Sequence, residues 1–343
     1  MLFLCASDNN KMKIRRVHMK KTFALLVVCM LVIGLLAGCG GGDKKAAAPA
    51  APAKKVFVNV ATGGTAGVYY PLGGAMAEIF NKNIPGMNAS AQSTGASVAN
   101  INLIKDGKVE LALVQNDIAY YAANGTEMFK DKKVPGLQGV ASLYNETIQI
   151  VTIEDKGIKT VADLKGKRVA VGALGSGTEA NARQIMEIFG ITYNDIKPQY
   201  LSFGEAANGL KDGNIDVAFV TAGAPTAAIQ DIAAQHKVAL VSIPADKAEA
   251  LIKKYPFYAK QTVKAKTYPT IAADVQTVAV KAMLVTSEKV DAGLVYQMTK
   301  AMYGNLDRIK AAHAQGANIQ KATALEGMGI KLHAGADKFF KEK

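Results

Sequence analysis

Cysteine is scarce in this chain of 343 residues, and tryptophan is absent. The three cysteines, Cys5, Cys29 and Cys39, all lie near the N-terminus. Residues 40–343 can therefore form neither a disulfide nor a cysteine-ligated metal site. A domain without such crosslinks depends on its hydrophobic core for stability. Residues 56–343 are long enough to bury a large core or to form two lobes.

Catalytic signatures are missing as well. The sequence contains no Gly-x-Ser-x-Gly elbow and no His-Glu-x-x-His motif. The later histidines, His236, His313 and His333, are too far apart in sequence to form a metal-binding pair. The glycines at positions 63, 64 and 67 do not have the Gly-x-Gly-x-x-Gly spacing of a dinucleotide loop. We therefore expect a protein that is not an enzyme and that uses neither a metal nor a cofactor.

The charge is positive but dispersed. The formal net charge is +13, without the clustered basic residues and interleaved aromatic side chains of a nucleic-acid site. A dispersed positive surface suits anionic lipid and weakly favours anionic ligands. After the N-terminal segment the only arginines are Arg168, Arg183 and Arg308. Arg183 could reach an anion, but an ion pair on a helix surface is the favoured interpretation. We expect no nucleic-acid partner.

The N-terminus has the pattern of a secretory signal. A basic stretch precedes an apolar run over residues 23–36, which is shorter than the about 20 residues of a membrane-spanning helix. The following Leu36-Ala37-Gly38-Cys39 resembles the lipobox of bacterial lipoproteins. This resemblance implies a signal peptide over residues 1–38, lipidation of Cys39, and an extracytoplasmic protein anchored to the bacterial membrane. Translation could begin at Met1, Met12 or Met19.

Strands and helices alternate after a linker. Residues 39–55 are rich in Gly, Ala and Pro, which predicts a flexible tether behind the lipidated cysteine. From residue 56 onward, short apolar runs alternate with helical patterns, which predicts an α/β fold with parallel sheets covered on both faces. After residue 285 the pattern is helical, and the longest helix is predicted over residues 292–312.

Two segments of the chain are alike, which predicts two related lobes. Residues 105–114 and residues 211–220 each contain a helix end, a glycine that can adopt positive φ, and a buried strand. Long strands near residues 140–153 and 274–285 would cross between the two halves as hinge strands. The predicted limits are residues 56–145 plus 273–343 for lobe one and residues 146–272 for lobe two.

Three motifs carry a family resemblance. They are residues 61–73 (ATGGTAGVYYPLG), 172–183 (GALGSGTEANAR) and 212–226 (DGNIDVAFVTAGAPT). They resemble the TAXI family, the extracytoplasmic receptors of one class of TRAP (tripartite ATP-independent periplasmic) transporters. The resemblance covers residues 56–343. It implies a two-lobed periplasmic-binding-protein fold, type II-like, with hinge strands and a ligand cleft between the lobes.

The resemblance also implies a ligand and partners. The ligand would be a small carboxylate or amino acid, such as glutamate, glutamine or a related acid. The partners would be the TRAP permease subunits in the membrane, driven by an ion gradient, with the receptor itself a monomer. An ATP-driven ABC importer with a small anionic ligand is the alternative, because the same fold serves both. An enzyme on this fold is a third hypothesis, since fold does not fix function.

Small and hydroxyl-bearing residues at strand-to-helix turns are the candidate ligand contacts. In the turn at residues 175–178 the glycines would let a ligand approach the backbone, and the helix N-terminus and two hydroxyls would hold an anion. The alternative is an ordinary helix cap. The turn at residues 93–97 allows the same two interpretations. With the residues at other strand ends, the predicted ligand-binding set is Gly64, Thr65, Tyr69, Ser93, Thr94, Ser97, Gln115, Asn116, Gly175, Ser176, Gly177, Thr178, Ala222 and Gly223.

Overall fold

The computed structural model describes residues 55–342. The predicted signal peptide, Cys39 and nearly all of the predicted tether therefore lie outside the described residues. Within residues 55–342, no helix combines the length and the apolar composition that crossing a membrane requires.

Buried apolar runs form the strands. The strand Leu111–Gln115 is buried at every position, and the 17-residue strand Leu137–Ile153 is exposed only at Asn145. Runs of this kind are typical of sheets covered by helices on both faces. In chain order the strands are β1 (Val56–Ala61), β2 (Met87–Gln92), β3 (Leu111–Gln115), β4 (Leu137–Ile153), β5 (Arg168–Ala170), β6 (Lys197–Gln199), β7 (Val217–Ala222), β8 (Val238–Val241), β9 (Ala259–Val263) and β10 (Val275–Ser287).

The helices lie between the strands in sequence and cover the sheet. Several begin at a side-chain cap: in one capping box, Ser202 Oγ accepts a hydrogen bond from Glu205 N while the Glu205 carboxylate accepts one from Ser202 N. In chain order the helices are α1 (Tyr69–Asn83), α2 (Ser97–Lys105), α3 (Asn116–Asn124), α4 (Gly177–Ile188), α5 (Phe203–Lys211), α6 (Ala227–Ala233), α7 (Ala245–Lys254), α8 (Ala292–Gly304), α9 (Leu306–Ala312) and α10 (Ala334–Lys341).

The sheet consists of two groups of parallel strands joined by two long antiparallel ones. Its order is β2-β1-β3-β10-β4-β7-β5-β6, with β8 also paired to β4 and β9 to β10. The first part of β4 pairs with β10, and its second part pairs with β7 and β8. We call the part around β1, β2 and β3 lobe one and the part around β5, β6 and β7 lobe two. The residue limits of the lobes predicted from the sequence stay a prediction.

The repeated segments predicted from the sequence form the same unit in each lobe. The glycine after α2, Gly107, has φ of +66°, and the glycine after α5, Gly213, has φ of +72°. Each lets the chain leave its helix and enter a buried strand, β3 in lobe one and β7 in lobe two. This part of the sequence prediction is confirmed.

Other predictions were wrong in detail. The sheet is mixed rather than parallel, because β4 and β10 run antiparallel to their neighbours as they cross between the lobes. The sequence did not predict β9, since this strand is partly exposed and lacks an apolar run. The helix predicted over residues 292–312 is interrupted at Asn305, which leaves the helical conformation and whose Nδ2 donates to Ala301 O at 2.8 Å.

Candidate ligand-binding site

A cavity lies between the lobes, at the C-terminal ends of strands from both. Lobe one contributes the residues after β1 and the starts of α1 and α2, lobe two contributes the start of α4 and the end of β7, and β4 adds Tyr144 and Glu146. Its volume is about 60 Å³. One water molecule needs roughly 10–15 Å³ by this measure, so the cavity has room for roughly four to six water-sized groups. This is the scale of a small organic molecule.

The turn that begins α4 forms the lobe-two wall of the cavity. Ser176 is the N-cap residue, and its Oγ accepts a hydrogen bond from Glu179 N at 3.1 Å. Helix capping therefore accounts for this side chain. Gly177 and Thr178, the first two helical residues, are buried and line the cavity. Their N–H groups belong to the first turn, where a helix cannot satisfy its own donors and its dipole favours a negative charge.

In the corresponding turn of lobe one, backbone N–H groups are bonded to another part of the protein. The N–H groups of Val98 and Ala99, at the start of α2, both donate to Gly175 O of lobe two, each at 3.1 Å. A backbone carbonyl of one lobe thus caps a helix of the other. Gly175 has φ of +77°, a conformation that favours glycine. Gly175 therefore contributes to the contact between the lobes, and it does not line the cavity.

The hydroxyl groups of the lobe-one turn are used within that lobe. Thr94 Oγ1 donates a hydrogen bond to Asn100 Oδ1 at 2.6 Å and accepts one from Ala96 N at 3.0 Å. Ser97 Oγ accepts from Gln115 N at 3.1 Å. These bonds hold the turn in place beside the cavity, so the two side chains shape the wall.

Gln115 connects the two lobes. Its Nε2 donates to Asn181 Oδ1 of α4 at 3.0 Å and lies 3.5 Å from Glu146 Oε2. Its side chain also covers Gly177, where a Cβ atom would overlap Gln115 Oε1. We predicted that a ligand would approach the backbone at Gly177. In the structure it is Gln115 that does so, and glycine at this position permits close contact between the lobes.

Glu146 is a buried carboxyl group in the wall of the cavity. Tyr69 OH donates a hydrogen bond to its Oε1. Burial raises the pKa of Glu146 to about 8, and the nearby charge of Asp117 acts in the same direction, while the hydrogen bonds from Tyr69 and Gln115 oppose the shift. The group is therefore mostly protonated at neutral pH.

Three buried polar atoms around the cavity have no hydrogen-bond partner within the described residues. They are Gln115 Oε1, Tyr144 OH and Thr221 Oγ1. Buried polar groups in proteins are normally hydrogen-bonded, and leaving one unpaired costs about 1–3 kcal/mol. Their concentration around a single cavity indicates a place where a polar ligand would be stabilised.

The structure brings most of the predicted ligand-binding residues together. Nine line the cavity: Gly64, Tyr69, Thr94, Ser97, Gln115, Ser176, Gly177, Thr178 and Ala222. The others lie outside the cavity lining: Thr65, Ser93, Asn116, Gly175 and Gly223.

Three of these five make other contacts that account for their positions. Ser93 Oγ donates to Gly63 O at 3.0 Å. Asn116 Oδ1 accepts from Lys281 N at 3.0 Å, which directs its side chain towards β10. Gly223 lies against the side chain of Gln315.

The interpretation of Arg183 as a surface ion pair agrees with the structure. Its Nε lies 3.5 Å from Glu179 Oε1, one turn earlier in α4. The other two arginines are also paired, Arg168 with Asp216 and Arg308 with Glu78. Among the described cavity residues there is no arginine, lysine or histidine.

The ligand-binding set predicted from the sequence did not include Glu146, Tyr144 and Thr221. Glu146 interrupts an otherwise mainly apolar strand, and a charged residue inside such a strand was the available signal. Tyr144 and Thr221 carry no comparable signal, because tyrosine and threonine are ordinary strand residues.

The comparisons with known proteins identify the family. A model described as the NMT1-like family matches residues 60–343. The chain belongs to the NMT1-like family. This match covers both lobes and every residue of the cavity.

The chain is similar to solved structures. PhnD1 from Prochlorococcus marinus, solved with methylphosphonate, is 10% identical over 77% of this chain and 91% of that chain, at a TM-score of 0.52. A putative L-cystine ABC transporter from Listeria monocytogenes is 17% identical over 77% of this chain and 98% of that one, at 0.49. The periplasmic aliphatic sulphonate binding protein SsuA from Escherichia coli is 17% identical over 83% and 82%, at 0.44. The predicted two-lobed periplasmic-binding-protein fold is confirmed.

Proposed function

We propose that this protein is an extracytoplasmic solute-binding receptor. It captures a small carboxylate, such as glutamate, glutamine or a related acid, between its lobes and delivers the ligand to a membrane importer. The observation that carries the proposal is the set of buried, unpartnered polar atoms of Gln115, Tyr144 and Thr221 around one cavity between the lobes. A polar ligand bound there would complete their hydrogen bonds and would hold the lobes together.

The carboxylate of the ligand would lie at the start of α4. The N–H groups of Gly177 and Thr178 and the positive end of the helix dipole favour an anion there. The hydroxyl of Thr178 and the unpartnered hydroxyl of Thr221 line the same cavity and can donate to it. Backbone and hydroxyl donors would therefore take the place of an arginine, since the arginines of the described chain are paired elsewhere.

A thermal-shift screen of amino acids and dicarboxylic acids, followed by calorimetric titration, tests the proposal. A ligand at about 100 times its Kd stabilises the folded state by about 2.7 kcal/mol, which corresponds to a rise in Tm of about 5–10 °C for a chain of this size. We expect at least one small carboxylate to reach this range. If none of them shifts the Tm of the folded protein, the proposed ligand class is wrong.

The class of importer has two candidates. The motifs at residues 61–73 and 172–183 favour the TAXI class and hence an ion-coupled TRAP importer. The family match is to the NMT1-like family and does not name a class of importer. Some similar solved structures have names that state a transporter class. The name of the Listeria protein states an ABC transporter, which agrees better with an ATP-driven importer. Because those likenesses show the fold alone, the two candidates are separated by whether the neighbouring genes encode a large permease or an ATPase.

The proposed location is the outer face of a membrane, through a lipid on Cys39. Acyl chains contribute about 0.8 kcal/mol per buried methylene, and stable anchoring takes two signals. We expect Cys39→Ser to appear in the soluble fraction or as unprocessed precursor on cell fractionation. A variant that still fractionates as a processed, detergent-extractable membrane protein would contradict the lipid anchor.

A further inference from the structure

Glu146 stands apart from the other residues of the cavity. It is the only carboxylic acid among the described cavity residues, and it is 2% exposed. The ionised form of Glu146 would repel an anion in the same desolvated cavity, so an anion alone is compatible only with the protonated form. Burying a carboxylate without a positive partner is also unfavourable. Its presence in the cavity therefore needs a separate explanation.

The surroundings of Glu146 contain acceptors and neutral donors. Tyr69 of α1 and Gln115 of β3 donate to its two oxygens, and Tyr144 lies two residues away on β4. Asp117, after β3, raises its pKa further and accepts a hydrogen bond from Asn181 of α4 at 3.0 Å. On β10, the Lys281 ammonium lies 2.9 Å from Glu326 Oε2. None of these neighbours is a cation paired with Glu146, so the site is suited to receive one.

We propose that Glu146 is the specificity-determining residue that selects ligands carrying a protonated amine beside their carboxylate. The ammonium group of the ligand lies against Glu146, while the ligand carboxylate lies at the start of α4. The inference rests on the proposed function, and it narrows the ligand class from small carboxylates to amino acids. Glu146 loses its proton to solvent when the zwitterion binds, and the resulting carboxylate forms an ion pair with the ammonium.

The number of acceptors in the cavity fits an ammonium group. An ammonium has three N–H donors and no acceptor. Gln115 Oε1 is an unpartnered acceptor in the same cavity, and Tyr144 OH, also unpartnered, can accept as well. Together with a carboxylate oxygen of Glu146 they supply three acceptors. A ligand without the amine would leave Gln115 Oε1 unpaired, which is unfavourable in a buried site.

Matched pairs of ligands test the assignment in the wild-type protein. Calorimetric titrations compare L-glutamate with glutarate, which has the same two carboxylates without the amine, and L-glutamine with its desamino analogue. A hydrogen bond to a charged group corresponds to roughly tenfold or more in affinity. We expect each amino acid to bind at least about tenfold more tightly than its partner. Equal binding, or a preference for glutarate, overturns the assignment.

Proton release gives a second, independent readout. Titrations with the tighter amino acid at pH 7, in two buffers of different ionisation enthalpy, count the protons released. Because burial raises the pKa of Glu146 to about 8, we expect release approaching one proton per ligand in the wild type and almost none in Glu146→Gln. Release that is absent from the wild type, or unchanged in Glu146→Gln, overturns the proposal.

Glu146→Gln also separates the two ligand classes. The change keeps the shape of the side chain, and we expect it to weaken amino acid binding at least about tenfold while glutarate binding changes little. Glu187→Gln, at a surface ion pair of α4 with Lys254, is the matched control and should leave both affinities unchanged. If no compound of either class binds the wild type, the proposed function fails and this inference with it. If both classes bind alike, only this inference fails.

Discussion

The turns that begin α2 and α4 are similar in sequence but differ in their surroundings. Each follows a strand, contains glycine and carries hydroxyl groups, at residues 93–97 in lobe one and 175–178 in lobe two. At α2 the first N–H groups donate to Gly175 O across the cleft. At α4, Gly177 and Thr178 face the cavity. The N–H groups of one turn therefore serve contact between the lobes, and those of the other are available to a ligand.

This difference separates two roles that a local pattern cannot distinguish. A glycine- and hydroxyl-rich turn at a helix N-terminus has free donors in either case. Whether a ligand or a protein carbonyl accepts from them depends on a residue far away in sequence. For α2 that residue is Gly175, in the turn of the other lobe. The arrangement of the lobes therefore decides which turn has N–H groups available to a ligand.

Among the variants that test this comparison, Gly177→Val is expected to have the largest effect on ligand affinity. A Cβ atom at Gly177 would overlap Gln115 Oε1 and approach Ile118, so the variant side chain would keep α4 and β3 apart. We expect ligand affinity to fall by about a hundredfold, because the lobes could no longer close around the ligand. Calorimetric titration measures the affinity, and small-angle scattering at saturating ligand should show a larger radius of gyration than for the wild type.

Gly74→Val is the matched control for this variant. Gly74 lies in α1, and a Cβ atom there would meet no other atom within 4 Å. The control therefore carries the same substitution in a helix without the contact across the cleft. We expect its ligand affinity to equal that of the wild type. Wild-type affinity in Gly177→Val would show that Gln115 moves aside and that this contact does not control closure.

The fold was largely predictable because its determinants are local. Alternating apolar runs and helical patterns fix the order of strands and helices, and the paired glycines Gly107 and Gly213 end a helix in each lobe in the same way. The long strands β4 and β10 were also recognised as crossovers. Their antiparallel pairing was missed, since strand direction in a sheet depends on the course of the whole chain.

The site was predictable in outline and not in its chemistry. Glycines and hydroxyls at strand ends indicated the turns, because such residues let a backbone approach another group. The buried acid Glu146 was missed because its importance comes from its neighbours: Tyr69 lies 77 residues earlier in the chain. The role of Gly175 was missed for the same reason, since the amides it accepts from belong to the other lobe.

A smaller effect is expected from a pair of threonine variants, one in each turn. Both threonines line the cavity, Thr178 at the start of α4, but Thr94 Oγ1 is bonded within lobe one, to Asn100 Oδ1 and to Ala96 N. If the turn of lobe two binds the ligand and that of lobe one supports the fold, the two substitutions should affect different quantities. Thr178→Ala should weaken binding and leave stability nearly unchanged. Thr94→Ala should mainly reduce stability.

The magnitudes follow from the hydrogen bonds that each variant loses. A bond from Thr178 to a charged carboxylate contributes about 1.5–3 kcal/mol, so Thr178→Ala should weaken binding about tenfold or somewhat more. Removing Thr94 Oγ1 leaves the buried Asn100 Oδ1 without its donor, which costs about 1–3 kcal/mol and lowers Tm by about 2–4 °C per kcal/mol. Calorimetric titration and thermal unfolding of both variants check this. A Thr178→Ala variant that binds like the wild type, or a Thr94→Ala variant that loses affinity without losing stability, would reverse the roles assigned to the two turns.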